Sequence, residues 1–251
     1  MAKIKCVFSY DGTNFSGLQI QPQVRTVQGE LEKALAKIHK GAHIPIHPSG
    51  RTDKGVHAKA QTAHFETDYR LTPADWKRAI NSLLPPDIHV DKTEQVPDSF
   101  HARFDVLEKE YRYYILNDAE PDVFKQNYLY HYPYQVDIKK MQEAGKFFEG
   151  THDFTTFSSA KADIKGSRIR TLYEVSCQLN GSEIEFVLRG NGFLYNMVRI
   201  IVGTLLDVGR GKQNPSDIAA LFAMKDRQAG GDTLPPQGLY LWQVRYTDGS
   251  S

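Results

Sequence analysis

A chain of 251 residues, 40% hydrophobic and 24% charged, is long enough to bury one large core or two small ones and has the composition of an ordinary soluble globular protein. Its formal net charge of +1 excludes a global field drawing it to nucleic acid or an acidic membrane, so any polyanionic partner must be met by a local patch. Two cysteines, Cys6 and Cys177, exclude a disulfide framework and lack the spacing of a metal pair.

Lys3 to Tyr10 alternates, with Ile4, Cys6, Phe8 and Tyr10 on one face, and predicts a strand. Thr26 caps a predicted helix whose apolar positions are Val27, Leu31, Ala34, Leu35 and Ile38, and Gly41 ends it. Next comes the loop Gly50-Arg51-Thr52-Asp53-Lys54-Gly55, then a strand through Gln61 to Glu66. Thr72-Pro73 starts a second helix carrying Trp76 and Ile80, and Pro85-Pro86 forbids its continuation. Ile88 to Val96 reads as a strand.

Past Phe104 the plan restarts. Glu110 to Leu116 alternates, with Tyr111, Tyr113 and Ile115 on one face and Arg112, Tyr114 and Leu116 on the other. A helix capped by Asp137 turns Ile138, Met141 and Phe148 inward, with Gly150 past its end. Thr151 to Gly166 has no period and predicts a long loop. A local basic patch is expected from Lys161, Lys165, Arg168 and Arg170. Arg168 to Leu179 and Glu183 to Leu188 form a hairpin through Asn180-Gly181. Phe193 to Val208 predicts a helix, Asn214-Pro215 caps a shorter one through Met224, and Leu239 to Tyr246 is a last strand.

Each half thus repeats strand, helix, loop and strand, with a helix after it. The expected class is α+β, two similar α/β subdomains with antiparallel sheets and helices packed on one side. The expected division is 1–105, carrying the Asp53 loop, and 106–251, carrying Tyr111 and Arg199. No Gly/Ser linker separates the halves, which allows their sheets to merge into one continuous central sheet. The N-terminus lacks an apolar run of signal-peptide length. The stretch from Met197 to Val208 is interrupted by Arg199, Gly203 and Asp207 and is too short to span a bilayer. Cytoplasmic location and buried free thiols are expected.

Three residues stand out chemically. Asp53 is either a turn carboxylate bonding its own backbone or an acid presented by a rigid loop. Arg199 lies in an otherwise apolar helix with Asn196 and Gly203 at neighbour spacing. A mid-helix glycine costs about 1 kcal/mol against alanine, which points to a close neighbour there. Arg199 itself either pairs with a carboxylate or reaches out to solvent. Tyr111 is a packing residue or a platform for a base, since aromatics on a sheet face interleaved with arginine also stack on nucleobases. His57 and His64, and likewise His39, His43 and His47, match no metal-ligand pattern, and there is no phosphate loop.

Five blocks, in order along nearly the whole chain, carry a resemblance. They are SYDGTNFSG (Ser9 to Gly17), GRTD-x-GVHA (Gly50 to Ala58), FHARF followed by KEYRYY (Phe100 to Tyr114), NGFLYNMVRIIVG (Asn191 to Gly203) and GLYLWQV (Gly238 to Val244). Together they resemble the TruA-type family of tRNA pseudouridine synthases. The resemblance implies an isomerase that converts uridine to pseudouridine in the anticodon stem-loop of tRNA, at positions 38–40. It further implies no cofactor, no metal, and a homodimer binding tRNA across both subunits. By the same resemblance Asp53 matches the nucleophile and Tyr111 the residue stacking on the uracil. Arg199 matches the partner of the aspartate, and Arg51 the basic residue holding the flipped-out base. Lys54 departs from the alanine of many members, and Tyr195 and Asn196 replace histidines found in others. A non-catalytic RNA-binding module on the same sheet platform is the alternative, and a small-molecule hydrolase using an aspartate nucleophile is a third reading.

Overall fold

The computed structural model describes residues 1–159 and 166–247 and divides into two compact units, Met1–Leu107 with Tyr240–Ser251, and Glu108–Leu239. The fold is mixed α/β, with five helices and mostly antiparallel strands among the described residues. Among those residues no helix is long and apolar enough to cross a membrane.

The first unit runs β1 (Ala2–Tyr10), α1 (Val27–Ile38), β2 (His47–Pro48), β3 (His57–Thr67), α2 (Pro73–Asn81) and β4 (Ile88–Val96). Strand β1 is central, antiparallel to β3 on one side and to β4 on the other. Ile4, Cys6, Phe8 and Tyr10 are buried as the alternation requires, and Lys5 is buried too, with its ammonium 2.7 Å from Glu94. The hydroxyl of Thr26 accepts from the Gly29 N–H and starts α1, while Lys40 and Gly41, at φ 56° and 96°, turn the chain out of it. Helix α2 lies on the same core: Trp76 meets Phe65 of β3 edge-on at 5.2 Å and stacks on His39 after α1 at 5.8 Å.

The second unit holds most of β5 (Val106–Leu116), then β6 (Tyr130–His131), α3 (Ile138–Lys146), β7 (Gly150–Asp153), β8 (Ile169–Asn180), β9 (Glu183–Gly190), α4 (Met197–Gly209) and α5 (Asp217–Met224). Its antiparallel order is β5-β9-β8-β7, with β6 parallel to β5. Tyr113 and Ile115 face Phe186 and Ile184 in the core, and Met141 and Phe148 cover it from outside the sheet. The hairpin loop is Gly181-Ser182, one residue later than the expected Asn180-Gly181, because Asn180 pairs with Glu183 and Gly181 supplies the φ of 63°.

Four further expectations are corrected. The last strand, β10 (Leu239–Tyr246), was expected to stay in the C-terminal subdomain, but it pairs in parallel with β3, Tyr240 opposite His57 and Leu241 opposite Ala58. The loop expected from Thr151 contains β7, because a polar four-residue edge strand needs only the β8 backbone, not an apolar pattern. Helix α4 begins at Met197 rather than Phe193, because Asn196 sits at φ 61° and interrupts the right-handed path. Helix α5 begins at Asp217, whose carboxylate accepts from the Asn214 N–H at 2.8 Å.

The mid-helix glycine does mark a close approach. A Cβ on Gly203 would lie 2.1 Å from the Asp232 carbonyl oxygen. Beside it the Gly231 N–H donates to the Thr204 hydroxyl at 2.9 Å. Alanine at 203 would gain about 1 kcal/mol of helix propensity. The overlap with backbone outweighs that, and overpacking typically costs about 1–3 kcal/mol. Gly203→Ala is therefore expected to lower the urea midpoint of unfolding. A raised midpoint would refute the contact.

Candidate active site

Asp53 stands on a turn fixed from three sides. The Val56 N–H donates to its carbonyl at 3.1 Å, and Gly55 adopts φ 79° to close the turn. The Leu18 N–H donates to the Thr52 carbonyl at 3.1 Å. Below, the buried Tyr10 and Thr52 hydroxyls share a hydrogen bond of 2.7 Å. Burial pushes the Tyr10 phenol well above its ordinary value, and the Asp53 charge adds to the rise. Asp53 itself is half-buried, while Arg51 and Lys54 on either side are exposed. A half-buried acid between two exposed cations on a pinned backbone can act on a polyanionic substrate.

The floor continues through His57. Its Nδ1 accepts from the Gly12 N–H at 3.0 Å, its ring stacks on Tyr240 at 4.7 Å, and a Cβ on Gly12 would lie 2.1 Å from the Val56 carbonyl oxygen. His57 is thus a structural histidine joining β3, β10 and the turn after β1. The Asp11-Gly12 pair was the only sequence signal for this contact.

In the second unit, Tyr111 is buried on β5 opposite Leu188, and its ring meets Phe193 edge-on at 5.0 Å. Arg112 points to the other face of the sheet, where Glu110 and Glu185 each hold it at 2.8 Å. As the alternation requires, Arg112 shares that face with Tyr114, whose hydroxyl donates to Glu185 at 2.8 Å, and the arginine is engaged there in an ion-pair network.

Arg199 is half-buried on α4. Its Nη1 donates to Asn196 Oδ1 at 2.9 Å, the neighbour that helical spacing named. Its Nε donates to the Leu234 carbonyl, a contact with no sequence signal. Its charge opposes the rise that burial imposes on the Tyr113 phenol. Asp53 and Arg51 thus share one loop of the first unit, while Tyr111 and Arg199 stand on β5 and α4 of the second. Of the expected basic patch, Lys161 and Lys165 lie outside the described residues. Arg168 donates to the Ser158 hydroxyl at 2.8 Å, and Arg170 to the Ser167 carbonyl at 2.9 Å.

Among the described residues no group of three or more histidine, cysteine or acidic side chains is arranged to hold a metal. Cys6 and Cys177 are free and buried, and burial pushes the Cys6 thiol up to about 12. The clustered histidines are packed rings. His64 stacks on His47 at 4.9 Å, meets His101 edge-on at 4.9 Å, and accepts from the Ala102 N–H at 3.2 Å.

Burial first, then the neighbouring His47, His101 and Lys3 charges, hold His64 at about 4 against an ordinary value of 6.5, with Asp105 pulling the other way. At this site the folded chain therefore binds fewer protons than the unfolded one between pH 4 and 6.5. The contribution of His64 to stability is expected to be complete above that window, to decline as pH falls through it, and to level off below. Urea midpoints across this range should fall less steeply in His64→Asn, which keeps an acceptor for Ala102. Equal slopes would refute the assignment.

The family model described as tRNA pseudouridine synthase matches residues 6–105 and 144–247. A protein of Oceanobacillus iheyensis named tRNA pseudouridine synthase A is 55% identical over 248 residues, covering 99% of this chain and 98% of that one. A protein of the same name from Geobacillus sp. (strain WCH70) is 54% identical, covering 97% of this chain and 98% of its own. Another of that name, from Bacillus pumilus, is 51% identical and covers 97% of this chain and 99% of its own.

Proposed function

The chain belongs to the family of tRNA pseudouridine synthases and is an isomerase, and from that premise we propose that it converts uridine to pseudouridine at positions 38–40 of the anticodon stem-loop of tRNA, with Asp53 as nucleophile. The observation that carries this reading is the Asp53 turn: an acid between exposed Arg51 and Lys54, its backbone held by Leu18 and Val56 and its floor by the Tyr10–Thr52 hydrogen bond.

The reaction breaks the bond from C1′ to N1, turns the uracil, and joins C1′ to C5. N1 gains a hydrogen and C5 loses one to solvent, so atoms balance without a cosubstrate, metal or cofactor. The carboxylate of Asp53 adds to C1′ as N1 departs, or takes a ribose proton in an elimination route, or attacks the uracil ring; all three need its ionised form, which an ordinary aspartate has at neutral pH. A uridine inside a stem must leave the stack first, at a cost of a few kcal/mol. Arg51 holds the flipped-out conformation, Tyr111 stacks on the uracil, and Arg199 pairs with the Asp53 carboxylate and orients it. The enzyme acts on tRNA as a homodimer in the cytoplasm.

The position assignment is tested on tRNA treated with the purified chain, derivatised with carbodiimide and read by primer extension. Stops confined to positions 38–40 are expected. Stops only in another arm of the tRNA would overturn it.

A further inference from the structure

The six residues Gln19 to Val24 are all exposed, yet the segment is firmly closed at its base. The Ser16 N–H donates to the Arg25 carbonyl at 2.9 Å, Val27 to Gly17 at 3.3 Å, and Gln28 to Leu18 at 2.9 Å. Inside the loop, Gln21 Nε2 donates to the Ser16 carbonyl at 2.8 Å, and the Ile20 N–H to Gln28 Oε1 at 3.2 Å. Arg25 anchors the far end, with two bonds to Asp87 of 2.6 and 2.8 Å and its guanidinium 4.2 Å from the Phe15 ring centroid. Such a loop presents its tip in a set direction and loses little conformational entropy when it meets a ligand.

Its base rests on the candidate nucleophile's own turn. Leu18 bonds the Thr52 carbonyl at 3.1 Å. Gly17, at φ 91°, approaches so closely that a Cβ there would lie 2.8 Å from the Thr52 oxygen and 3.4 Å from the Asp53 carbonyl carbon. The base of this loop and the turn that carries Asp53 are therefore in direct backbone contact.

Composition says what kind of contact it makes. Gln19, Ile20, Gln21, Pro22, Gln23 and Val24 include no cation, so the loop is unsuited to gripping phosphates. It offers amides and two aliphatic side chains, Ile20 and Val24, each 47% exposed. Aliphatic side chains of this kind wedge against unstacked bases, and amides suit base and ribose edges. A stem that has released a uridine exposes such bases.

We propose that Gln19–Val24 is an RNA-reading element of this site, in which Ile20 and Val24 pack against the bases flanking the extruded uridine and stabilise the opened stem. The inference rests on the reading of Asp53 as the catalytic acid. The contribution belongs to substrates whose target must leave a helix and disappears where the target is already unpaired.

The test is the double variant Ile20→Ala/Val24→Ala, assayed on two whole tRNAs. One has the target uridine paired in the stem; the other has its partner base changed to a mismatch. On the paired RNA, kcat/KM is expected to fall about 10- to 100-fold, the effect of losing support for an opened stem. On the mismatched RNA the loss should shrink to about threefold or less. Ile20→Leu/Val24→Ile should restore the paired substrate, and the salt dependence of binding should stay that of wild type, because no phosphate contact is removed. Equal losses on both RNAs, or no loss on either, would overturn the proposal. A change in oligomeric mass would assign the loop to a second copy of the chain and overturn it too. Turnover of both RNAs by Asp53→Asn would overturn the Asp53 reading itself, and the proposal with it.

Discussion

Asp53→Asn is expected to abolish pseudouridine formation, by at least about 10³-fold in kcat, while tRNA binding survives. The exchange preserves size and leaves the turn intact, since Val56 donates to the main-chain carbonyl of residue 53 and Leu18 to that of residue 52. What it removes is the negative charge, and an amide cannot replace a carboxylate as nucleophile or base. Binding should persist because affinity for a polyanion rests on cations rather than acids, and the exposed Arg51 and Lys54 are unchanged. Filter binding beside single-turnover assays separates the two effects. A variant that binds and still isomerises would end the assignment. A variant that has lost both would place Asp53 in the scaffold instead.

The second large effect is expected at Arg199. Arg199→Ala should reduce kcat by about 10²–10³-fold, the usual consequence of deleting one preorganised charged donor. Arg199→Lys should recover little. The guanidinium uses Nε on the Leu234 carbonyl and Nη1 on Asn196, and a lysine ammonium cannot reproduce that directed fork. Alanine would also leave the Leu234 carbonyl short of a donor, so stability should fall by about 1–3 kcal/mol. The assay therefore belongs well below the variant's own unfolding midpoint. Near-normal turnover by Arg199→Lys would show that charge alone suffices and remove the argument from orientation.

The parts of the fold legible in the sequence were those with local causes. Thr26 capping α1, Pro73 opening α2 and alternation along β1 each act within a few residues, and the structure shows each of them. What escaped was decided at a distance. Strand β10 joins the first unit through backbone pairing with β3, which no local pattern announces. Strand β7 is a polar edge held only by β8. The start of α4 depended on one residue, Asn196, adopting a left-handed conformation inside an apolar run.

The candidate site divides in the same way. The glycine turn around Asp53 was visible because Gly55 supplies the positive φ, and the Arg199–Asn196 bond followed from helical spacing. The Tyr10–Thr52 bond and the Leu234 carbonyl on Arg199 join residues far apart in sequence and left no trace in it. Resemblance to a family named roles for Asp53, Tyr111, Arg51 and Arg199; the structure puts Asp53 on a pinned turn, Tyr111 on β5 and Arg199 on α4, and leaves Arg51 exposed.

The most direct measurement uses whole tRNA tritiated at uracil C5, incubated with the purified chain and no added cofactor. Joining C1′ to C5 must expel that hydrogen. Tritium should therefore appear in water in proportion to the uridines converted, with the enzyme turning over many times. Bound tRNA with no release would contradict the account and leave a protein that holds RNA without changing it.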